Sequence, residues 1–364
     1  DTRLSNMAEE KKGATSKTIL LTGVGGYDKL KIVEEPRPHA GRGQVVLNVK
    51  ATGINFAELM CRMGLYPNRP KLPCVLGLEA SGVITEVGHE VTDLKVGDRV
   101  LCVNAFGLWT EFASVAASHC FPIPDNMSFE EAAAIPVNYI TAYHMLFDFG
   151  NLRKGKSVLV HMAAGGVGIA ATQLCHTVPD VTVFGTASAG KHETIRENGV
   201  TYPIDYRTQD YVEEVKKVSP KGVDIVLDPL SGDDSAKCFK LLKPLGKIIH
   251  FGSANVVTGH TRSIWHTAKT LFKVNRYHPI LQLMPQNKGA CGYHLGMLTE
   301  EEDLIREAAL AILDLYKEGK IKPHVDSVWT FDQVGEAMER MHSRKNIGKV
   351  IMTPYETKMG EKKA

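Results

Sequence analysis

The 364-residue chain carries 43 Lys and Arg against 41 Asp and Glu, for a net charge of +2, and is 43% hydrophobic and 23% charged. That balance excludes a disordered chain, a collagen-like repeat and a polyanion-binding tail, and the length suits two to three domains. The seven Cys (Cys61, Cys74, Cys102, Cys120, Cys175, Cys238 and Cys291) are odd in number, widely spaced and without a C-x-x-C pair, so no disulfide framework or four-Cys zinc lobe is expected and a reducing, intracellular setting is.

Residues 1–17 (DTRLSNMAEEKKGATSK) are polar, lack the apolar stretch of a signal peptide and read as a flexible tail. Between residues 18 and 125, short apolar runs (TILLTGV, QVVLNVKATG, GLEASGVITEVG, GDRVLCV, FASVAASHCFPIP) are punctuated by Gly, Pro and Asp, the pattern of a many-stranded, irregular β domain. From Phe129 the period becomes helical (FEEAAAIPVNYITAYHMLFDF), with Ser128 and Glu131 at capping-box spacing. Strand and helix candidates then alternate from SVLVHM and GGVGIAATQLCHTV through VDIVLDP, SAKCFKLL and GKIIHFG, which predicts a parallel sheet with crossover helices. The run Ser157–Pro179 has no charged residue and enough length to raise the question of a membrane span. Gly165, Gly166, Gly168 and Gln173 assign it instead to a buried strand and helix. The chain closes with a helix (EEDLIREAALAILDLYKEG), then HVDSVWTF, DQVGEAMERMHSR and GKVIMTP, a β-α-β piece able to rejoin the first domain and make it discontinuous.

The strongest motif runs from Val158 to Gly168 (VLVHMAAGGVG), where a strand enters a turn of the form A-x-G-x-x-G and a helix opens. This is the context of a dinucleotide fingerprint, with Ala163 in place of the first Gly. Gly165 lets a backbone approach a pyrophosphate, Gly168 lets helix and strand pack closely, and the helix start offers N–H groups to the anion. At the end of the next strand, where an NAD site places a carboxylate on the ribose, the chain reads GTASAGK, and Ser188 and Lys191 suit a 2′-phosphate and so NADPH. Residues 150–157 (GNLRKGKS) imitate a P-loop, but a helix precedes them and a strand follows, the reverse of the required order, so ATP binding is not expected. No HExxH, dense His/Cys cluster or G-x-S-x-G elbow is present, which leaves reduction by a bound nicotinamide as the surviving chemistry.

Taken in order, GINFAELM (53–60), GLYP (64–67), GLEASGVI (77–84), GDRV (97–100), the fingerprint and IGKV (347–350) resemble the medium-chain dehydrogenase/reductase superfamily, quinone oxidoreductase branch. Within it, NYITAY (138–143), LFDFGNL (146–152), VTVFGTAS (181–188) and IKPHVDSVW (321–329) resemble the vesicle amine transport protein homologs, the synaptic vesicle membrane proteins. The resemblance implies an α/β protein made of a GroES-like β-rich catalytic domain (18–143 and 323–355) and a Rossmann doubly wound parallel-sheet domain (144–322), with a C-terminal tail at 356–364. Zinc-dependent members place Cys and His where this chain has Asn55 and Leu78, so the resemblance implies a zinc-free enzyme. It further implies that Asn55, Asn138 and Thr141 line the nicotinamide end and that Ala163, Gly165, Gly166, Val167 and Gly168 hold the pyrophosphate. Ser188, Lys191 and Tyr206 are to surround the 2′-phosphate, with Phe251, Ser253 and Arg344 as further cofactor contacts. Asn55, Tyr66 and Thr141 form the catalytic set, Tyr66 as the proton-donor candidate, with a packed loop aromatic as its other reading.

One segment is not needed for reduction. Ser235–Thr299 holds nine Lys and Arg and no Asp or Glu, leaving the rest of the chain at −7. Inside it, an amphipathic insert near 256–290 puts Ile264, Trp265, Ala268, Leu271 and Phe272 on one helical face, flanked by Arg262, Lys269, Lys273 and Arg276. Two readings stay open there: an anionic membrane surface, or packing on the Rossmann domain or a homodimer interface. The leading expectation is a zinc-free NADPH-dependent reductase of quinones or enones, cytoplasmic, with no nucleic-acid partner and with peripheral attachment to synaptic vesicle or mitochondrial outer membranes left open. The alternative is an NADPH-binding membrane or trafficking protein with little turnover.

Overall fold

The computed structural model describes residues 14–256 and 280–355 and divides the chain into two units, Asp1–Ala133 with Val328–Glu339 and Ile351–Ala364, and Ala134–Ser327 with Arg340–Val350. Against the boundaries expected from the sequence, residues 134–143, 323–327 and 340–350 group with the second unit. The helix Pro136–Tyr143 goes there because its main packing partner is the helix Gly166–His176.

The first unit is antiparallel. Gln44–Gly53 is its central strand, pairing with Glu79–Val87 on one side and with Phe112–Ala116 and Lys349–Thr353 on the other. Arg99–Val103 and Cys120–Pro122 extend the sheet beyond Glu79–Val87. Alternating side chains from these strands, among them Val45, Leu47, Val49, Ile84, Val100 and Val115, make the core, as period-two patterning requires. A smaller sheet sets Thr15–Leu21 between Leu30–Pro36 and Cys74–Val75. Leu30–Pro36 escapes a sequence reading because most of its side chains are exposed, leaving no apolar alternation to detect.

The second unit is a six-stranded sheet in which every pairing is parallel. Its strands in chain order are Ser157–Val160, Thr182–Ala187, Tyr202–Asp205, Val223–Asp228, Leu242–His250 and Gly289–Gly292, and their spatial order is third, second, first, fourth, fifth, sixth. The buried strands read as continuous apolar runs, and Leu159, Phe184, Val226 and Ile248 form the core with Val215 and Phe239 from the crossover helices. The sixth strand (GACG) has almost no intrinsic β propensity and exists because the fifth offers it a register, Lys247 to Gly289 through His250 to Gly292.

The long helical stretch after Phe129 is three elements. Ser128 and Glu131 exchange the expected reciprocal hydrogen bonds (3.1 and 3.3 Å) at the start of Phe129–Ala133. Pro136 opens the next helix, where its missing N–H costs nothing. From His144 to Phe149 the helix widens to π type, with the Gly150 N–H reaching the Met145 carbonyl (2.9 Å). Residues 150–157 lie between this segment and a strand, and Lys156 pairs with Asp224 at 3.0 Å, so the P-loop likeness has no phosphate cradle behind it.

Phe184 is fully buried in the second strand and stacks on Tyr202 (centroids 5.2 Å apart). Phe184→Ala is expected to cost about 3–5 kcal/mol of unfolding free energy. Chemical denaturation checks this, and a loss below about 1 kcal/mol would remove Phe184 from the core.

Candidate functional site

A doubly wound sheet binds ligands beyond the carboxyl ends of its strands, at the point where the strand order reverses. Here that point lies between the first strand, ending at Val160, and the fourth, ending at Asp228. The chain leaves Val160 through a tight turn in which Met162 adopts a left-handed φ of 53°. The turn is closed by hydrogen bonds from the Met162 N–H to Thr186 Oγ1 (3.2 Å), the Ala163 N–H to the Thr186 carbonyl (3.0 Å) and the Gly165 N–H to the Met162 carbonyl (2.8 Å).

The three glycines differ in what surrounds them. A Cβ on Gly168 would sit 2.5 Å from the Met162 carbonyl oxygen and 2.7 Å from Ala163 Cα, so the helix meets the turn only without one. A Cβ on Gly166 would collide with the Asn138 carboxamide at 2.3 Å. One on Gly165 would meet only the Met162 oxygen, at 3.2 Å, so that side of the turn is open, as a pyrophosphate would need. Val167 and Gly168 belong to the first helical turn, whose N–H groups have no intrahelical acceptor and are the donors a helix start offers to an anion. The residues present therefore fit a dinucleotide.

Ser188 follows the second strand and caps the turn Ala189–Lys191. Lys191 Nζ donates to the carbonyls of Arg344 (2.9 Å) and Asn346 (2.6 Å), which brings two expected cofactor residues together and leaves the ammonium one further N–H. Burial holds its pKa below the usual lysine value, against the pull of Asp326 and aided by Arg340 and Arg207. Arg207 was missed by sequence reasoning, although it adjoins the exposed Tyr206 and its guanidinium lies 5.9 Å over that ring. A basic residue two positions beyond the third strand was the available signal.

The fourth strand delivers Asp228, fully buried, which accepts from His250 Nδ1 (2.9 Å), Ser235 Oγ (2.5 Å) and the backbone N–H groups of Leu230 (2.9 Å) and Ser231 (3.3 Å). Ser231, at a left-handed φ of 72°, in turn donates its hydroxyl proton to the Gly252 carbonyl (2.8 Å) and lies 3.2 Å from Ser253 Oγ, and the Phe251 N–H donates to the Asp228 backbone carbonyl (3.1 Å). Phe251 is thus held by the Asp228 backbone carbonyl and Ser253 through Ser231, around a carboxylate that the sequence shows only as the last residue of an apolar strand.

In the first unit, Asn55 caps the helix Phe56–Arg62, and its Nδ2 donates to Glu79 Oε1 (2.9 Å). Glu58 accepts the N–H groups of Asn55 (2.8 Å) and Leu78 (3.2 Å), locking the two positions together. Positions 55 and 78 thus present a carboxamide and a leucine beside carboxylates already engaged in hydrogen bonds, and among the described residues no group of three or more His, Cys, Asp or Glu could hold a metal ion. Tyr66 packs edge-on to Phe106 at 5.9 Å, and burial, with Cys61 and Glu58 adding, pushes its phenol above the ordinary value. It is therefore a hydrogen-bond donor and not a phenolate at neutral pH.

Residues 262–276, with the proposed face of Ile264, Trp265, Leu271 and Phe272, lie outside the described residues. Part of the surrounding positive charge is already engaged: Lys243 pairs with Asp224 (2.9 Å), while Lys247 and Lys288 donate to the carbonyls of Phe149 (2.7 Å) and Phe239 (2.9 Å). Among the described residues no helix is long and apolar enough to cross a membrane.

Burial alone would raise the Asp228 pKa, but His250, Ser235 and the Leu230 N–H hold it below the ordinary value. A depressed folded-state pKa stabilises the fold above the unfolded value of about 4, and this is lost as pH falls through the folded value. Unfolding free energies of wild type and Asp228→Asn are expected to differ by about 2–4 kcal/mol at pH 7 and to converge below about pH 4. A difference independent of pH between 7 and 3 would contradict this.

Comparison with known proteins gives the site its context. Residues 41–125 match the alcohol dehydrogenase GroES-like domain and residues 198–352 the zinc-binding dehydrogenase domain. The chain is 57% identical over 356 residues to the synaptic vesicle membrane protein VAT-1 homolog of Danio rerio, covering 98% of this chain and 73% of the relative. It is 33% identical over 317 residues to a quinone oxidoreductase-like protein 2 homolog of Nematostella vectensis, covering 86% and 82%. Among solved structures it resembles the human VAT-1 homolog-like protein (43% identity, TM-score 0.82, 94% of this chain and 99% of that one). It also resembles mycobacterial Rv1454c in complex with NADPH (26% identity, TM-score 0.81, 93% and 100%).

Proposed function

The chain belongs to the VAT-1 family of medium-chain dehydrogenases and reductases, and from that premise we propose that it is a zinc-free, NADPH-dependent oxidoreductase acting on quinones or enones. The observation that carries the cofactor choice is the end of the second strand: no carboxylate stands there, and Ser188 and Lys191 do, with Arg207 close enough to act on Lys191. A carboxylate would repel a 2′-phosphate, whereas a hydroxyl and a cation bind one. The NADPH complex of the mycobacterial relative supports the same choice. Against zinc stands the donor chemistry around Asn55 and Leu78.

When bound, the cofactor supplies hydride. The chain supplies placement. The open side of Gly165 and the N–H groups that follow receive the pyrophosphate, and Lys191, Arg344 and Tyr206 surround the 2′-phosphate. Asn138, packed on Gly166, and Thr141, three residues along the same helix, orient the nicotinamide end. Asn55, held by Glu79, and Tyr66, kept protonated by burial, are the polar groups for a substrate oxygen.

Calorimetry is expected to show NADPH binding about tenfold or more tighter than NADH, and Lys191→Ala is expected to lose about 1.5–3 kcal/mol toward NADPH and little toward NADH. Equal affinities, or a preference for NADH, would overturn the assignment. Tight binding without NADPH oxidation across quinones and enones would favour a cofactor-binding trafficking protein over a reductase.

The relatives' name, synaptic vesicle membrane protein, supports a peripheral attachment, for which the sequence of residues 262–276 is suited. Cosedimentation with anionic liposomes is expected at low salt, at about 1 kcal/mol for each basic residue near the surface. It should weaken in high salt and when Trp265 and Phe272 are replaced by Ser; indifference to both changes would remove the membrane reading.

A further inference from the structure

In the first unit, the strand Arg99–Val103 pairs with the short strand Cys120–Pro122 so that Cys102 stands directly opposite Cys120. Both side chains belong to one core cluster, Cys102 fully buried and Cys120 3% exposed, so they leave the sheet on the same face. Residues facing each other in an antiparallel pair alternate between exchanging two backbone hydrogen bonds and exchanging none. The Cα atoms approach to about 4.5 Å only in the second case.

The flanking hydrogen bonds fix that alternation from both sides. The Ile84 N–H donates to the Asp98 carbonyl (3.0 Å) and the Asn104 N–H to the Leu78 carbonyl (2.9 Å), so even-numbered positions of this stretch, Cys102 among them, turn their backbone groups toward Glu79–Val87. The Ile123 N–H donates to the Arg99 carbonyl (2.9 Å), so odd-numbered positions face Cys120–Pro122. Pro122, which has no N–H, accordingly stands opposite Val100, where none is needed. Cys102 and Cys120, two positions along, are likewise a non-hydrogen-bonded pair. Their Cα separation of about 4.5 Å falls within the roughly 4.4–6.8 Å that a disulfide spans. Cys102 Sγ already leans on the Val103 carbonyl (3.8 Å), which by the same alternation faces the Cys120 side. The other cysteines are placed differently: Cys61, Cys175 and Cys238 lie on helices, and Cys74 and Cys291 stand opposite Leu21 and Ile249.

We propose that Cys102 and Cys120 are a reversible redox site, oxidised by a small disulfide such as oxidised glutathione to a cross-strand disulfide that closes the base of the loop 103–119. The site lies wholly in the first unit and does not depend on the cofactor.

The chemistry is two thiol–disulfide exchanges. A Cys120 thiolate, its proton lost to water, attacks one sulfur of the small disulfide; a mixed disulfide forms and one small thiolate leaves. The Cys102 thiolate then attacks Cys120 Sγ, the protein S–S bond forms and the second small thiolate leaves. Two protons from the pair end on two small thiols, and two electrons pass from the pair to the reagent. Cys120 reacts first because its strand is three residues long and lies at the edge of the sheet, where local opening lifts it from Arg99–Val103. In the closed sheet, the Cys120 thiol beside it and burial raise the pKa of Cys102 well above the ordinary value, so Cys102 rests as a free thiol. Seventeen residues lie between the two cysteines, among them Phe106, edge-on to Tyr66, and the fully buried Trp109. A cross-link over that length removes much of the freedom of the opened strand.

The test exposes the full-length chain to oxidised glutathione in native buffer, followed by acid quench and peptide mapping by mass spectrometry. A Cys102–Cys120 link is expected, reversed by dithiothreitol. Hydrogen exchange at the Phe121 amide, opposite Leu101, is expected to slow by about tenfold or more in the oxidised protein, because the link keeps the strand from lifting. In Cys102→Ala, Cys120 is expected to stop at the mixed disulfide with glutathione, without that slowing. If Cys102→Ala does not fold, the wild-type map and its exchange rates carry the comparison. Recovery of both thiols free, a link from either to another cysteine, or a link formed only in denaturant overturns the proposal. A Cys102–Cys120 link that leaves Phe121 exchange unchanged overturns it as well, since the base of the loop would not then be closed.

Discussion

The second unit depends on a missing atom. The helix Gly166–His176 starts against the turn that follows the first strand, and Gly168 leaves no room there for a Cβ. Because the helix begins so close to the strand, its first N–H groups open at the reversal point of the sheet rather than above it. The same closeness sets the next contact outward, where Gly166 receives the Asn138 carboxamide and so fixes the helix Pro136–Tyr143. The segment that continues this helix carries His144, whose Nδ1 lies 2.9 Å from the Tyr293 hydroxyl.

Charge is arranged around this joint with similar economy. Asp326 accepts the guanidinium of Arg340 at both oxygens, the Ile347 N–H (2.8 Å) and Ser327 Oγ (2.7 Å), and although burial opposes it these partners hold its pKa below the ordinary value. The bonds to Arg340 and Ile347 pin the segment whose carbonyls receive Lys191. The lysine is therefore presented by tertiary contacts and not by its own helix, and Arg207 supplies a second positive charge nearby. On the opposite side, Asp228 does the equivalent work for Ser231 and Ser253.

Much of this was legible in advance. The strands of the second unit read as apolar runs because both of their faces are buried, and the fingerprint reads as glycines because each Cβ has a specific obstacle or a specific opening. The capping box at Ser128 is a local, three-residue matter and forms as its spacing predicts. Less was visible where residues act through partners remote in sequence. Tyr293 is 149 residues from His144, and nothing in the acid-free segment around it marks one tyrosine as meeting that histidine. Leu30–Pro36 and Gly289–Gly292 become strands only because a neighbouring strand offers them a ladder.

The sequence by itself determined the family, the α/β architecture, the glycine-rich strand-to-helix turn and the Asn and Leu at positions 55 and 78, since these depend on residue type at short spacing. Only the tertiary structure decided that Lys191 is tethered to the 344–346 backbone, that Asp228 organises the loop after the fourth strand, and that a π segment turns His144 toward Tyr293. Hydrogen-bond direction and burial belong to groups brought together from distant parts of the chain, and periodicity carries no record of them.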